Sequence, residues 1–459
     1  MKTRILRWYY KLLGKLAHGY IEKHRPQVIG INGSVGKTSC RMIVYQTLQQ
    51  FITHKKIYTS PKNFNGELGL SLSIFQIETW EPNIVCFITT LTKIIWKRFF
   101  WSKPYDIILL EYGIDRPGEM DFLLTITKPH IGIFTAIDSV HSEQFGNPAE
   151  IAKEEVKMLK NTLEIGFLNA NDVYAIQLKE HLHIDYLTYQ TEGYDIQADI
   201  TFKDEKFFLA DFRGGVGVEF HLRIKEKKYD IHTNILGKAN YGYIGLWIAI
   251  AGILDYRYAR EEARPENSIL RNGSREVLEL KYQLQPGRLS VFHGRENSVI
   301  IDSTYNASPL SVRTIINTAH NIKTQLFPQR KMWIVLGDMR ELGDLTQREH
   351  RMLAGYVSQS ADHVILVGKH MSDYLADELE KVGYDKNKID KFYDATIAGK
   401  HIQKMLKEAG DECLVVCKGS QNTIFLEEAV KHFLLNPEDQ KELTRQSDRW
   451  LKKKKKYFG

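Results

Sequence analysis

Residues 30–41 read GINGSVGKTSCR. The stretch follows an apolar run, QVIGIN (27–32), and leads into KTSCRMIVYQTLQQF (37–51), whose apolar residues recur at helical spacing. Strand, glycine-rich turn and helix, in that order, form the setting in which backbone N–H groups at a helix N-terminus receive a phosphate. The common loop, G-x-x-x-x-G-K-[ST], asks for glycine at 31, and this chain has Ile31. Gly36-Lys37-Thr38 still supplies a lysine for β- and γ-phosphates and a hydroxyl for Mg²⁺, while Gly33 and Gly36 free the turn. The alternative is a turn that only joins strand to helix.

Outward from this point the pattern repeats. Strands are expected at YDIILLEYG (105–113), HIGIFTAI (130–137) and IGFLNA (165–170), with helices between them. Such alternation indicates a mostly parallel sheet covered by helices. Between about 190 and 235 the segments ADITF, KFFLADF, GVEFHLRI and YDIHTNI alternate in polarity, as antiparallel strands do. Helix returns at 241–254, and near Pro286-Gly287-Arg288 a second α/β alternation begins, through SVIIDSTYN, KMWIVLGDM, HVILVG and CLVVCKG. A boundary near 280 is expected, followed by a second doubly wound, Rossmann-like unit to about 440. Residues 1–26 read as a basic helix and 441–459 as a basic tail.

The composition of the 459 residues, 43% hydrophobic and 26% charged, is that of a globular enzyme of two or three domains. Four cysteines do not make a disulfide framework, and Cys413 and Cys417 read as core thiols of a reducing compartment. No run of about 18 uncharged apolar residues occurs, so no membrane span is expected. A secretory signal is rejected, because Lys11, Lys15 and His18 interrupt the apolar stretch and no cleavage site follows. Of the net charge of +7, residues 1–25 hold +6 and residues 448–459 hold +5, which leaves the body at −4. That balance argues against a nucleic-acid-binding body and for sticky ends.

Several residues stand where chemistry needs them. Glu111 ends an apolar strand next to the phosphate loop, the place for a metal-binding carboxylate, though a solvated strand-end glutamate would look the same. His141, in AIDSVHSEQFG, reads as a metal ligand or as a structural histidine. Asn63 and Asn65 sit in SPKNFNGELG, either a contact loop or a plain turn, and Arg288 could bring a cation across a cleft.

Taken together, GSVGKTS, NFNGELGL, EYGIDRPGEM, HSEQFGNPAEIA, LNAND, GKANYGYIGLWIA, PGRL, DSTYNASP, VLGDMRELG and CKGSQ occur in the order found in the Mur ligase family, which the chain resembles from about residue 27 to 433. That family's shorter loop, G-[ST]-x-G-K-[TS], is matched by Gly33-Ser34-Val35-Gly36-Lys37-Thr38, with Ser39 following. The resemblance implies an ATP- and Mg²⁺-dependent ligase that activates a carboxylate as an acyl phosphate for attack by an amine, the nearest branch adding D-alanyl-D-alanine to a muramoyl tripeptide. It makes residues 27–280 the ATP-binding domain and 281–440 the C-terminal ligase domain. It assigns Lys37 to the ATP phosphates, Thr38 and Glu111 to one Mg²⁺, and His141 to a second. Asn240 falls on the adenine side, Arg288 reaches the phosphates, and Asp302, Tyr305 and Asn306 line the cleft. Lys418 and Ser420, with Asn63 and Asn65, fall to the substrates.

Three features depart from the pattern. The stretch before the loop is short and basic, so the domain with which the peptidoglycan ligases grip a UDP-sugar is expected to be missing. Glu155 takes the place of a lysine that many members carbamylate, and is expected to act as a substitute metal ligand or to be a plain surface residue. The family's two adjacent aspartates are Asp302-Ser303. An extra segment, WEPNIVCFITTLTKIIWKRFFWSKP (80–104), mixes aromatics with cations. It is read as lying on an anionic membrane surface, or as packing on the protein's own core. The expectation is a cytoplasmic monomer acting on small molecules, touching the inner membrane face. The alternatives are a ligase for folate, poly-γ-glutamate or lipid-linked substrates, and a phosphate-loop NTPase that does not ligate.

Overall fold

The computed structural model describes the chain apart from residues 1, 63, 140–141, 194–195, 211–214, 259–275, 284, 411, 422 and 459. Ten strands form the first sheet: β1 (Gln27–Asn32), β2 (Ile57–Thr59), β3 (Ile107–Tyr112), β4 (Ile131–Phe134), β5 (Ile165–Asn169), β6 (Asp185–Tyr189), β7 (Ile200–Leu209), β8 (Val216–Ile224), β9 (Lys227–Thr233) and β10 (Glu276–Leu280). Their spatial order is β10-β9-β8-β7-β6-β5-β4-β1-β3-β2. Pairing from β2 to β7 is parallel, and the β7–β8 and β8–β9 pairs are antiparallel. β1, β3 and β4 are buried at nearly every position and mostly apolar, as strands covered by helices on both faces are.

The second sheet holds β11 (Ser290–His293), β12 (Val299–Ser303), β13 (Lys331–Gly337), β14 (His363–Val367), β15 (Ile389–Phe392) and β16 (Cys413–Lys418). Its order is β11-β12-β16-β13-β14-β15, with only β11 antiparallel to its neighbour. The expected α/β class with two sheets is therefore present. The segments ADITF and KFFLADF differ from expectation, since they share one strand, β7. A bulge between Lys203 and Lys206, with Asp204 at φ 58°, bends the strand without ending it. Cys40, Cys413 and Cys417 are buried thiols outside any disulfide.

The sheets meet through the helix Pro309–Leu326. Phe207 N donates to Gln325 Oε1 at 2.9 Å, and one apolar cluster includes Val218 and Tyr241 on one side and Ile315 and Ile316 on the other. At the opposite end of the first sheet, helix Lys2–His24 buries Leu13, Ala17 and Tyr20 against helices Glu67–Ile74, Ile84–Phe100 and Glu119–Ile126. The expected basic tail contains a helix, Asp448–Phe458, that buries Lys454, whose Nζ lies 3.0 Å from Glu427 and 2.6 Å from Glu428. Two carboxylates face its ammonium, and Trp450, Tyr457 and Phe458 of the same helix pack edge-on against Phe425.

Candidate active site

The turn after β1 has Gly33 at φ 122° and Gly36 at φ 88°, conformations that favour glycine. A Cβ on Gly36 would run into the Tyr243 hydroxyl, and one on Gly33 into Thr135 Oγ1. The loop is pinned to the strand end after β4, where Ser34 N donates to Ala136 O at 2.7 Å and Thr135 Oγ1 donates to Val35 O at 2.6 Å. Lys37 Nζ folds back onto the carbonyls of Gly33 and Ser34. A lysine held over its own loop in this way is poised to exchange those carbonyls for phosphate oxygens.

Beside the loop, Thr38 Oγ1 donates to Glu111 Oε2 at 3.3 Å. The other carboxylate oxygen accepts from Arg41 Nε at 2.6 Å. Arg41 also donates to Thr59 Oγ1 and Ser60 O, and its Nη2 is buried without a partner. A hydroxyl and a carboxylate oxygen side by side form a hard-oxygen pair that fits Mg²⁺. The structure thus brings Lys37, Thr38 and Glu111 together as the sequence suggested. His141 and Asn63 lie outside the described residues.

A cavity of about 570 Å³ opens above the loop, between the two sheets. The first sheet contributes Ser34 to Ser39, Asn65, Glu111 and Asn240 to its wall, and the second contributes Arg288, Tyr305, Asn306 and Lys418. Asn65 O accepts from Gly113 N at 2.7 Å, and Asn240 Nδ2 donates to Leu236 O at 2.7 Å. The Arg288 guanidinium lies 4.3 Å from the centre of the Tyr305 ring, with Nε buried and unpartnered. Burial lowers its pKa, while Tyr305 and Glu111 work the other way. Lys418 Nζ donates to Ser303 Oγ at 3.2 Å. Burial first, and then the charge of Arg288, bring the Lys418 pKa down to about 7.

Among the described residues, four that the sequence named are not in the wall: Gly33 at the base of the loop, Asp302, Ser420 and Glu155. Asp302 is fully buried behind it: neighbours on a strand face opposite sides, so from β12 it is Ser303 that looks into the cleft. Asp302 Oδ1 accepts from Thr304 N, and burial raises its pKa to about 6. Ser420 Oγ donates to Ala307 O at 3.1 Å and accepts from Arg340 N, so it ties loops together behind the cavity. Glu155 is buried, which excludes a plain surface residue, and it contacts the phosphate loop: Oε2 accepts from Asn32 Nδ2 at 3.0 Å and from Gly33 N at 3.2 Å. Burial raises its pKa to about 7, with Lys37 opposing.

Sequence reasoning missed Arg41, Tyr243 and Arg445. Arg445 pairs with the fully buried Glu427 at 2.6 Å and donates to Thr304 O at 2.7 Å and Tyr305 O at 2.9 Å. Thr444 packs on Gly287, whose carbonyl accepts from Tyr305 N at 3.1 Å. The chain after residue 440 therefore props the loop that carries Tyr305 and, through it, Arg288. A separate cluster, Asp338, His350 and His370, has metal-like spacing. His350 already uses both ring nitrogens, one accepting from Met339 N at 3.1 Å and the other facing Thr346 O at 2.6 Å. That is a structural histidine.

Comparison with known proteins agrees with this geometry. Residues 31–242 match the model of the Mur ligase middle domain, and 287–421 that of the Mur ligase, glutamate ligase domain. A UDP-N-acetylmuramoyl-tripeptide--D-alanyl-D-alanine ligase of Borreliella burgdorferi is 27% identical over 90% of this chain and 75% of its own length. Among solved structures, MurF from Acinetobacter baumannii superposes with a TM-score of 0.68 at 20% identity, covering 92% of this chain and 79% of that one. The MurF ligase from Thermotoga maritima in complex with ADP gives 0.67 at 20% identity, covering 95% and 85%.

Proposed function

Since this chain belongs to the Mur ligase family, we propose that it is an ATP- and Mg²⁺-dependent ligase that adds D-alanyl-D-alanine to a UDP-N-acetylmuramoyl tripeptide in peptidoglycan synthesis. The observation that carries the reading is the cavity itself, where a phosphate loop with Thr38 and Glu111 faces Arg288, Tyr305 and Lys418 from the other sheet.

In the proposed reaction a substrate carboxylate attacks the γ-phosphorus of ATP, giving an acyl phosphate and ADP. The amine then attacks the acyl carbon, phosphate leaves, and the amine's extra proton is released. Thr38 and Glu111 would hold Mg²⁺, which shields the phosphate charge, and His141 is kept as the proposed ligand of a second ion. Lys37 and Arg288 place positive charge on either side of the phosphates. Asn240 is assigned to the adenine side, with Tyr305 and Asn306 nearby. Asn63, Asn65 and Lys418 are assigned to the joining substrates. Glu155 is proposed to hold the loop at Gly33 N. Two sheets closing on the cavity keep water from the acyl phosphate. The proposed setting is the cytoplasm, with one copy forming a complete site and the membrane's inner face within reach of helix Ile84–Phe100.

The test is phosphate release over a panel of UDP-muramoyl peptides and amines. Release that requires both the tripeptide and D-alanyl-D-alanine is expected. Release that ignores them, or that follows a different acid and amine, overturns the assignment.

A further inference from the structure

Helix Ile84–Phe100 turns apolar residues to both sides. Thr90 and Ile94 are buried, and Phe87 and Leu91 pack on the core. Its outward side carries Ile84, Val85, Ile88, Ile95, Trp96, Phe99 and Phe100, with exposures from 41% at Ile95 to 75% at Phe100. Positions three and four apart share a helix face, so these side chains make a stripe along its length. The Trp96 and Phe100 rings are 6.5 Å apart.

Helix Lys2–His24 lies alongside in the same direction. Tyr9 meets Phe87 at 4.7 Å between ring centres, and its hydroxyl donates to Phe87 O, while Gly19 approaches Arg98. Helix Lys2–His24 also carries Trp8, 64% exposed, and the exposed cations Arg7, Lys11 and Lys15, of which Arg7 and Lys11 lie near enough to Glu67 to act on its carboxylate. No helix among the described residues is long and apolar enough to cross a membrane, so the stripe is suited to lying on a surface.

Charge selects the occupant. Helix Ile84–Phe100 contains Lys93, Lys97 and Arg98 and no acidic residue; Glu78 and Glu81 precede it. Lys97 is spent on Phe75 O at 2.6 Å, but Lys93 is exposed. With residues 1–25 at +6, a second copy on this face would set cations against cations. An anionic surface supplies the opposite charge and accepts the aromatics. We propose that this face docks peripherally on an anionic lipid bilayer, with the stripe among the upper acyl chains and Arg7, Lys11, Lys15 and Lys93 at the headgroups. Docking is independent of nucleotide, and the ligase reading stands or falls separately from it.

The test is cosedimentation of the full chain, without substrates, with phosphatidylglycerol-containing vesicles and with pure phosphatidylcholine vesicles at low salt. Binding to the anionic vesicles that salt reverses is expected. Partitioning should fall about tenfold or more in W96S/F99S/F100S, and the anionic preference should shrink in K11E/K15E. Both variants should keep ATP-dependent phosphate release, which reports that they fold. Failure to bind anionic vesicles, equal binding by the triple variant, or a lipid-free dimer that the triple variant abolishes would each overturn the proposal.

Discussion

Arg41 Nε lies 2.6 Å from Glu111 Oε1, and both side chains are shut away from solvent. The guanidinium fixes one carboxylate oxygen and leaves the other, Oε2, beside the Thr38 hydroxyl. Arg41→Met should raise the Mg²⁺ concentration for half-maximal turnover roughly 10–100-fold. Arg41→Lys should fall between, because an ammonium keeps the charge and loses the fork. An unchanged Mg²⁺ titration in Arg41→Met would show that Glu111 is not held for a metal.

Glu155 titrates near pH 7 when folded and near its ordinary 4.5 when unfolded. Between those values the folded state keeps a proton that the unfolded chain has released. Its contribution to stability is therefore whole below about pH 4.5 and is lost as pH rises through about 7. Urea denaturation should show Glu155→Gln lacking this loss, which is up to about 3 kcal/mol in the wild type.

Lys418 has the reverse sign. Its folded pKa of about 7 lies below the ordinary 10.5, so the unfolded chain binds the extra proton between those values. Stability from this group rises with pH across that window. In Lys418→Met the rise should vanish, and the variant should be at least as stable as wild type near pH 7. Turnover should drop even so, since the amine lies in the cavity wall.

Gly36→Ala should abolish turnover, because φ 88° and the Tyr243 hydroxyl both oppose a Cβ there. Tyr243→Phe removes the clash with the hydroxyl and leaves the ring Cζ 3.3 Å from the new Cβ. Added to Gly36→Ala it should restore some ADP binding, measured by calorimetry, and no more than partial activity, since the backbone strain of about 1 kcal/mol or more persists.

Arg445→Ala leaves Glu427 with Lys454 as its remaining ion-pair partner and frees two loop carbonyls. A loss of about 3–5 kcal/mol is expected from chemical denaturation. A raised KM for ATP should accompany it, through Tyr305 and Arg288. A stability loss with KM unchanged would mean that the segment only props the fold.

The features legible in the sequence were those whose parts lie close together along it. GSVGKT is read within one turn, and Glu111 is marked by the apolar strand that it ends. Arg41 gave no sign because its partner is 70 residues away. The register of β12 decided between Asp302 and Ser303, and a one-residue step is beyond composition. In residues 80–104 the mixture of aromatics and cations was plain, yet the side each ring faces depends on helices that pack from elsewhere. Trp101 joins the core while Trp96 faces out.

Arg445 stands 140 residues beyond Tyr305, the loop residue whose carbonyl it holds. The nucleotide side of the cleft is thus left unfinished until that later stretch has been synthesised and has folded back. A fragment cut at residue 421, where the recognisable ligase domain stops, would keep every recognised motif. It should nonetheless take up nucleotide poorly, so a nascent chain is kept from spending ATP before its substrate clefts are complete.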